Sequence, residues 1–426
     1  MNFDTISIIG LGYIGLPTAA VIASRRKQVS GVDINQHAVD TINRGDIHIV
    51  EPELDIVVHA AVKEGYLRAA TRPEPADAFL IAVPTPFNAE NGNDHVPDLS
   101  YIKAASQSLA TVLKKGDLVI LESTSPVGAT EQMAAWLAAA RPDLTFPQTH
   151  GEESDIRIAH CPERVLPGHV VRELVENDRV IGGMTAKCSQ AATALYQIFV
   201  EGECITTTAR TAEMAKLTEN SFRDVNIAFA NELSIICDKI DISVWELIRL
   251  ANRHPRVNIL QPGPGVGGHC IAVDPWFIVS ETPDEARLIR TAREVNDSKP
   301  QWVINKVNKA VGKFLRDNSD KTAKDVTIAC FGLAFKPDID DLRESPALKI
   351  AEAIVGMHPG QSLVIEPKIK ELPGGELTGA KLVNAENGLK EAHVAVLLVD
   401  HKQFKKISIQ QLEGSYIVDS RGVWED

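Results

Sequence analysis

Along the first third of the chain, short β-branched and apolar runs alternate with longer stretches of helical spacing. "TISIIG" and "VSGVD" read as buried strands, and "AFLIAVPTP" and "DLVILESTSP" as two more that end in turns. Runs of this length, bounded by turn residues and separated by helices, predict parallel βαβ units. From about Thr211 to Lys239 the pattern is helical, with no glycine or proline to break it. The strand rhythm then returns in "DVTIACFG", "SLVIEP", "VAVLLVD" and "YIVDS", with helical "SPALKIAEAIVGM" between the first two. The polar stretch "NAENGNDHVPD" (88–98) reads as a surface loop.

The first strand runs into "IIGLGYIGLPTA", where Gly10, Gly12 and Gly15 hold the G-x-G-x-x-G spacing. Gly10 permits a tight turn, Gly12 lets a pyrophosphate approach the backbone, and Gly15 lets helix and strand pack closely. Amides at the helix N-terminus would face the phosphates. Asp33 ends the second strand, where its carboxylate can accept hydrogen bonds from a ribose diol and would repel a 2′-phosphate. NAD is therefore expected over NADP. The expected fold is α/β, with two Rossmann-like doubly wound domains joined by a helical central domain. The boundaries read as 1–205 for the NAD-binding part, 206–305 for the helical part and 306–426 for the second Rossmann-like part.

A chain of 426 residues is long enough for such a division, and its net charge of −13 argues against a general nucleic-acid or anionic-membrane binder. The six cysteines contain no CxxC pair, which suits a reducing, cytoplasmic setting. The N-terminus has no signal-peptide character, and no apolar run is long enough to span a bilayer.

"GPGVGGHC" (263–270) sets a bare backbone beside Cys270. A thiol next to a hydride acceptor can capture an aldehyde as a thiohemiacetal, and a second oxidation then gives a thioester. A buried, inert cysteine is the plainer alternative. Asp274, four residues on, could position water. Adjacent residues in an extended segment point to opposite sides, so His269 is not expected to pair with the thiol. No ligand spacing points to a metal.

Lys216 and Asn220 lie one helical turn apart and can both donate to an oxyanion, although by spacing alone a solvated helix face is the plainer explanation. Glu163 in "CPERVLPG" is a candidate base, with an ordinary surface glutamate the plainer alternative. Lys336 and Arg343 follow a strand in "FGLAFKPDIDDLRESPA", where cations suit a phosphate-rich ligand. Ion pairing with Asp338, Asp340 or Asp341 is the alternative.

Taken in order, "GLGYIGLP", "VPTP", "STSPVG", "CPER", "AEMAKLTENSFRDVNIAFANEL", "GPGVGGHC" and "GLAFKPDIDDLRESPA" resemble the UDP-glucose/GDP-mannose dehydrogenase family over nearly the whole chain. That resemblance implies a four-electron oxidation of a nucleotide sugar's C6 alcohol to a carboxylate, with two NAD. It makes Cys270 the nucleophile, Lys216 and Asn220 oxyanion donors, Asp274 a water holder and Glu163 the acid/base. It places Thr124 near the nicotinamide, and Gly10, Gly12, Tyr13, Ile14, Gly15, Asp33, Pro84, Thr85 and Arg343 around the rest of the cofactor. Substrate contacts are implied for Glu163, Arg164, Lys216, Asn220, Gly265, Gly267, Lys336 and Arg421. Arg256 looks like the arginine the family sends into a neighbouring subunit, so a homodimer or larger homo-oligomer is expected.

Two departures bear on the sugar. Val273 stands where UDP-glucose members usually carry lysine, and Pro167 where they often carry a second glutamate. The chain is more similar to the family's N-acetylhexosamine branch. This implies UDP-N-acetyl-D-mannosamine as substrate, with UDP-N-acetylglucosamine the alternative, and a uronate destined for surface polysaccharide of the enterobacterial common antigen type. Two other readings are a two-electron hydroxyacid dehydrogenase, which needs no nucleophilic thiol, and an NAD-sensing regulator, for which no basic recognition helix is present.

Overall fold

The computed structural model describes residues 3–88, 95–166, 168–268 and 270–424. Most of the 88–98 loop, Pro167 and His269 therefore lie outside the described residues. The chain forms two compact units, Met1–Glu219 and Asn220–Asp426, and the division falls within the helix Ala209–Lys239.

The first unit is an eight-stranded sheet. Its strands are β1 (Thr5–Ile9), β2 (Gln28–Val32), β3 (Leu67–Ala70), β4 (Ala78–Ile81), β5 (Leu118–Leu121), β6 (Arg157–His160), β7 (Arg179–Gly183) and β8 (Cys204–Thr208). They lie in the order β3-β2-β1-β4-β5-β6-β7-β8, parallel throughout except for the β6–β7 pair. Alternation along each strand serves both faces, as a doubly covered parallel sheet requires. Ile6, Ile8, Ala78 and Leu80 pack under the helices Gly15–Ser24 and Leu54–Lys63, whereas Phe79, Ile81, Val119 and Leu121 pack under Ser100–Ala110 and Ala129–Ala140. The order reverses between β1 and β4, which opens a ligand crevice beyond their carboxyl ends.

The second unit holds a parallel five-stranded sheet of β9 (Ile328–Phe331), β10 (Ser362–Ile365), β11 (Lys381–Leu382), β12 (Val394–Leu397) and β13 (Tyr416–Asp419), ordered β11-β10-β9-β12-β13. Its switch point lies between β9 and β12. Ile328, Cys330, Val394 and Val396 face the helices Arg287–Asp317 and Pro346–Met357, while Ala329, Phe331, Ala395 and Leu397 face Phe404, Leu412 and Trp424. Among the described residues, no helix is long and apolar enough to cross a membrane.

One local device occurs in both units. The amide of Gly10, at φ +93°, donates to the Val32 carbonyl at 2.8 Å, and the Leu11 amide donates to Asp33 at 2.9 Å. In the second unit Gly332, at φ +97°, donates to Ile365 at 2.8 Å, and Leu333 donates to Glu366 at 2.7 Å. A glycine turn is thus tied twice to an acid that ends the neighbouring strand.

Candidate active site

In the first unit the candidate residues follow the carboxyl ends of successive strands. The glycine turn follows β1, Asp33 follows β2, Pro84 and Thr85 follow β4, Thr124 follows β5 and Glu163 follows β6. A Cβ on Gly10 would stand 2.5 Å from the Ala82 carbonyl oxygen, and one on Gly15 would stand 1.8 Å from that of Gly10. Both glycines are therefore fixed by close backbone approach. A Cβ on Gly12 would meet nothing within 4 Å, so the side-chain side of this residue is open. Tyr13 is exposed, Ile14 is half-buried at the helix start, and Thr124 is half-buried.

These residues fit NAD. Asp33 Oδ2 takes the Leu11 amide at 2.9 Å and Oδ1 takes the Asn35 amide at 2.8 Å, and each oxygen keeps a lone pair for a ribose hydroxyl. The hydroxyls of Thr85 and Ser125 are buried with no hydrogen-bond partner among the described residues. They stand beyond β4 and β5, where the crevice opens.

Glu163 is 8% exposed, and burial pushes its carboxyl up to about 7, although the Lys216 ammonium and the Arg179 guanidinium oppose the shift. A carboxyl poised there can hold or release a proton near neutral pH. Arg164, expected at substrate, pairs with Glu219 at 2.8 Å. Lys216 is buried on the helix Ala209–Lys239, so the solvated-face alternative fails for it.

In the second unit Asn220 and Asp274 are both buried, and Asn220 Nδ2 donates to Asp274 Oδ2 at 2.5 Å. Asn220 Oδ1 accepts from Arg223 at 3.1 Å, which orients the amide. Asp274 opens the helix Asp274–Glu281, and its amide donates to the Cys270 carbonyl at 2.9 Å. The thiol itself is exposed, so a buried, inert role does not apply. Lys336 follows β9. Burial and the Arg223 guanidinium hold its amine below the usual lysine range, against the attraction of Cys270.

The bareness of the 263–268 segment has a packing cause. A Cβ on Gly267 would stand 2.7 Å from the Glu344 carbonyl and from Pro346 Cδ, and one on Gly265 would stand 3.0 Å from Pro346. A Cβ on Gly263 would be 2.6 Å from an Arg421 nitrogen. Protein fills the space on the side-chain side of these glycines.

The remaining cations are held within the unit or exposed. Arg343 is gripped by Asp341, Nε to Oδ1 at 2.9 Å and Nη2 to Oδ2 at 2.6 Å. Arg421 donates from Nε and Nη2 to Asp400 Oδ1 at 2.9 and 2.7 Å, beyond the ends of β12 and β13. Arg256 is exposed. Sequence reasoning missed the support beneath the cysteine segment. Asn231, fully buried, takes the Gly263 amide at 2.9 Å and donates to Asn296 at 2.8 Å, and Asn296 in turn donates to Asp224. It also missed Glu122, although its place at the end of the "DLVILE" strand was a signal.

Family models of the UDP-glucose/GDP-mannose dehydrogenase family match the NAD binding domain at residues 4–200, the central domain at 210–298 and the UDP binding domain at 329–426. The chain belongs to this family. It is an NAD-dependent UDP-sugar dehydrogenase, an oxidoreductase. It is 67% identical over 424 residues to a UDP-N-acetyl-D-mannosamine dehydrogenase of Yersinia pestis, covering the whole of both chains. It is 66% identical to an NDP-N-acetyl-D-galactosaminuronic acid dehydrogenase of Ralstonia nicotianae, covering all of this chain and 97% of that one. A solved UDP-D-ManNAc dehydrogenase from Pyrococcus horikoshii is similar with a TM-score of 0.86 at 37% identity, over 99% of this chain and 96% of that one. An NAD-binding Rossmann domain, a helical centre and a C-terminal α/β domain are the architecture of this dehydrogenase and its structural neighbours.

Proposed function

We propose that this dehydrogenase oxidises the C6 alcohol of UDP-N-acetyl-D-mannosamine to the carboxylate, through a thioester on Cys270. The domain roles follow as read from the sequence, with NAD on residues 1–205, the helical centre at 206–305 and the UDP-sugar on 306–426. NAD would be held by the glycine turn, Asp33, Pro84, Thr85 and Thr124, and the chemistry it supplies when bound is acceptance of the hydride leaving C6.

The residues do the rest. The hydroxyl proton passes to water as the alcohol becomes an aldehyde. The exposed Cys270 thiol gives its proton to water as its sulfur adds to the aldehyde carbon, and the C6 oxygen gains negative charge that Lys216 and Asn220 stabilise by donation. Loss of a second hydride leaves the thioester. Asp274, fixed by Asn220, and Thr124 hold the attacking water, and Glu163 removes its proton. The carbon–sulfur bond breaks, the departing sulfur takes the proton that Glu163 holds, and the carboxylate leaves with the thiol restored. Lys336, Arg421 and Arg164 take the substrate's charged groups, Gly265 and Gly267 offer it backbone, and Arg343 serves the cofactor phosphates.

The observation that carries the covalent route is the linked set in the second unit: exposed Cys270, whose carbonyl holds the Asp274 amide, and Asp274, whose carboxylate is fixed by Asn220. The mannosamine assignment is supported by Val273 and by the Yersinia pestis relative. The Ralstonia nicotianae relative favours a second reading, a galacto-configured N-acetyl sugar with the same chemistry. A panel of UDP-N-acetylmannosamine, UDP-N-acetylgalactosamine, UDP-N-acetylglucosamine and UDP-glucose, compared by kcat/KM, separates them. The mannosamine nucleotide should lead, and a lead by any other would displace it.

A homodimer or larger assembly belongs to this reading. Phe222, Phe229 and Ile236 recur every seventh residue on one helix and are 68%, 52% and 46% exposed, an apolar stripe suited to a second copy. A cytoplasmic site and a role in supplying acidic sugar for surface polysaccharide also go with it.

A further inference from the structure

Beside Glu163 the first unit buries ionisable groups that the route above does not use. Arg179 begins β7, Glu122 is the first residue after β5, and Cys161 follows β6; all three are sealed from solvent together with Tyr196. The Tyr196 hydroxyl donates to Glu122 Oε1 at 3.2 Å, and the Arg179 guanidinium carbon lies 5.6 Å from the centre of the Tyr196 ring. Arg179 Nη2 donates to the Leu174 carbonyl at 3.2 Å. Its Nε and Nη1, together with Glu122 Oε2 and Glu163 Oε1, are buried with no hydrogen-bond partner among the described residues. One sealed cluster thus holds unmet donors on a permanent cation and unmet acceptors on two carboxyl groups. Charge on any of these three groups is felt strongly by the other two, because little water screens them.

We propose that Arg179 and Glu122 are positioning residues for thioester hydrolysis, which together set the charge on Glu163. This rests on the reading of Glu163 as the hydrolytic base. The groups facing Glu163 are Lys216 from the long helix, Arg179 from β7, Glu122 after β5 and Glu173 from the helix Val170–Glu176. Those facing Glu122 are Arg179, Tyr196, Thr18, Cys161 and Glu163, and Arg179 also meets Cys161. Burial pushes both carboxyls up to about 7, so they titrate in one range and as a coupled pair. Ionised Glu122 repels charge on Glu163, whereas Arg179 attracts it. Neutralising either neighbour must therefore move Glu163 in opposite directions.

The test follows decay of the covalent UDP-sugar adduct on Cys270 by intact-protein mass spectrometry after acid quench, in single turnovers from about pH 5 to pH 9. Decay should quicken with pH as Glu163 ionises. Glu122→Gln should move that limb to lower pH and Arg179→Met to higher pH, each by about half a unit, or roughly threefold in rate on the acid side. Arg179→Lys, which keeps the charge, should restore most of the wild-type profile. Limbs that stay in place, or move the same way, overturn the inference. Glu163→Gln separates the two levels: wild-type decay in that variant sinks the base reading itself, whereas a trapped adduct with unmoved Glu122 and Arg179 profiles sinks this inference alone. If Arg179→Met fails to fold, the near-isosteric Glu122→Gln decides by the direction of its shift.

Discussion

Asn220 donates to Asp274 across 2.5 Å, joining the helix Ala209–Lys239 to the first residue of the helix Asp274–Glu281. The bond restrains the carboxylate, and it spends one amide hydrogen while leaving the other for a ligand. Asn220→Asp replaces the donor by a second carboxylate, and two carboxylates this close cannot both ionise. The variant should lose about 10²–10³ in kcat, the usual cost of one oxyanion donor. Steady-state rates checked across pH decide this, and a loss of less than a few fold would remove Asn220 from the chemistry.

The first glycine turn separates fold from binding. Gly15→Ala drives a Cβ into the Gly10 carbonyl and should destabilise the chain by on the order of 2–4 kcal/mol, visible in thermal unfolding. Gly12→Ala meets no protein atom, so its melting temperature should stay near the wild-type value. Its KM for NAD should nevertheless rise at least about tenfold, since the added methyl stands where a pyrophosphate approaches the backbone.

Asp33 predicts cofactor choice. A 2′-phosphate beside this carboxylate would meet like charge at short range, which costs several kcal/mol, so kcat/KM for NAD should exceed that for NADP by at least about a hundredfold. Asp33→Ala should shrink the ratio. It should also loosen the turn, because the Leu11 amide loses its acceptor.

Lys299 offers a stability test away from catalysis. It is buried on Ser234 with its ammonium 3.8 Å from the centre of the Trp302 ring, and burial pushes its amine down to about 7 against the pull of Asp238. The folded value lies below the unfolded one, so folding is penalised as pH falls below the ordinary lysine range, and the penalty is complete below about 7. Lys299→Met should therefore raise stability by on the order of 1–3 kcal/mol at pH 6 and by little at pH 10, read from denaturant unfolding.

Much of this was legible in the sequence. Central parallel strands are apolar on both faces, so β1, β4, β5, β9 and β12 stand out as short hydrophobic runs, and the unbroken helical pattern from Thr211 proved to begin at Ala209. β3, β6, β7, β8 and β11 were not read; β3, β8 and β11 lie at the sheet edges, and β3 and β8 carry polar or small residues such as Arg68 and Thr206 to Thr208. The antiparallel β6–β7 pair has no local signal, since direction is set by tertiary packing. The glycines of the 263–268 segment were legible as bare backbone but not as packing sites, because Pro346 and Glu344 come to them from far along the chain. The pairing of Arg179 with Glu122 was invisible for the same reason: the strand end marks Glu122, but nothing in "NDRV" or "LEST" announces that the two are buried together.

The central claim is a four-electron oxidation through Cys270, and its most direct test counts product. With limiting UDP-N-acetylmannosamine and excess NAD, NADH and the sugar acid are measured together at completion. Two NADH for each sugar consumed, with the carboxylate as the accumulated product, is the expected result. One NADH for each sugar, with an aldehyde or ketone accumulating, would contradict it.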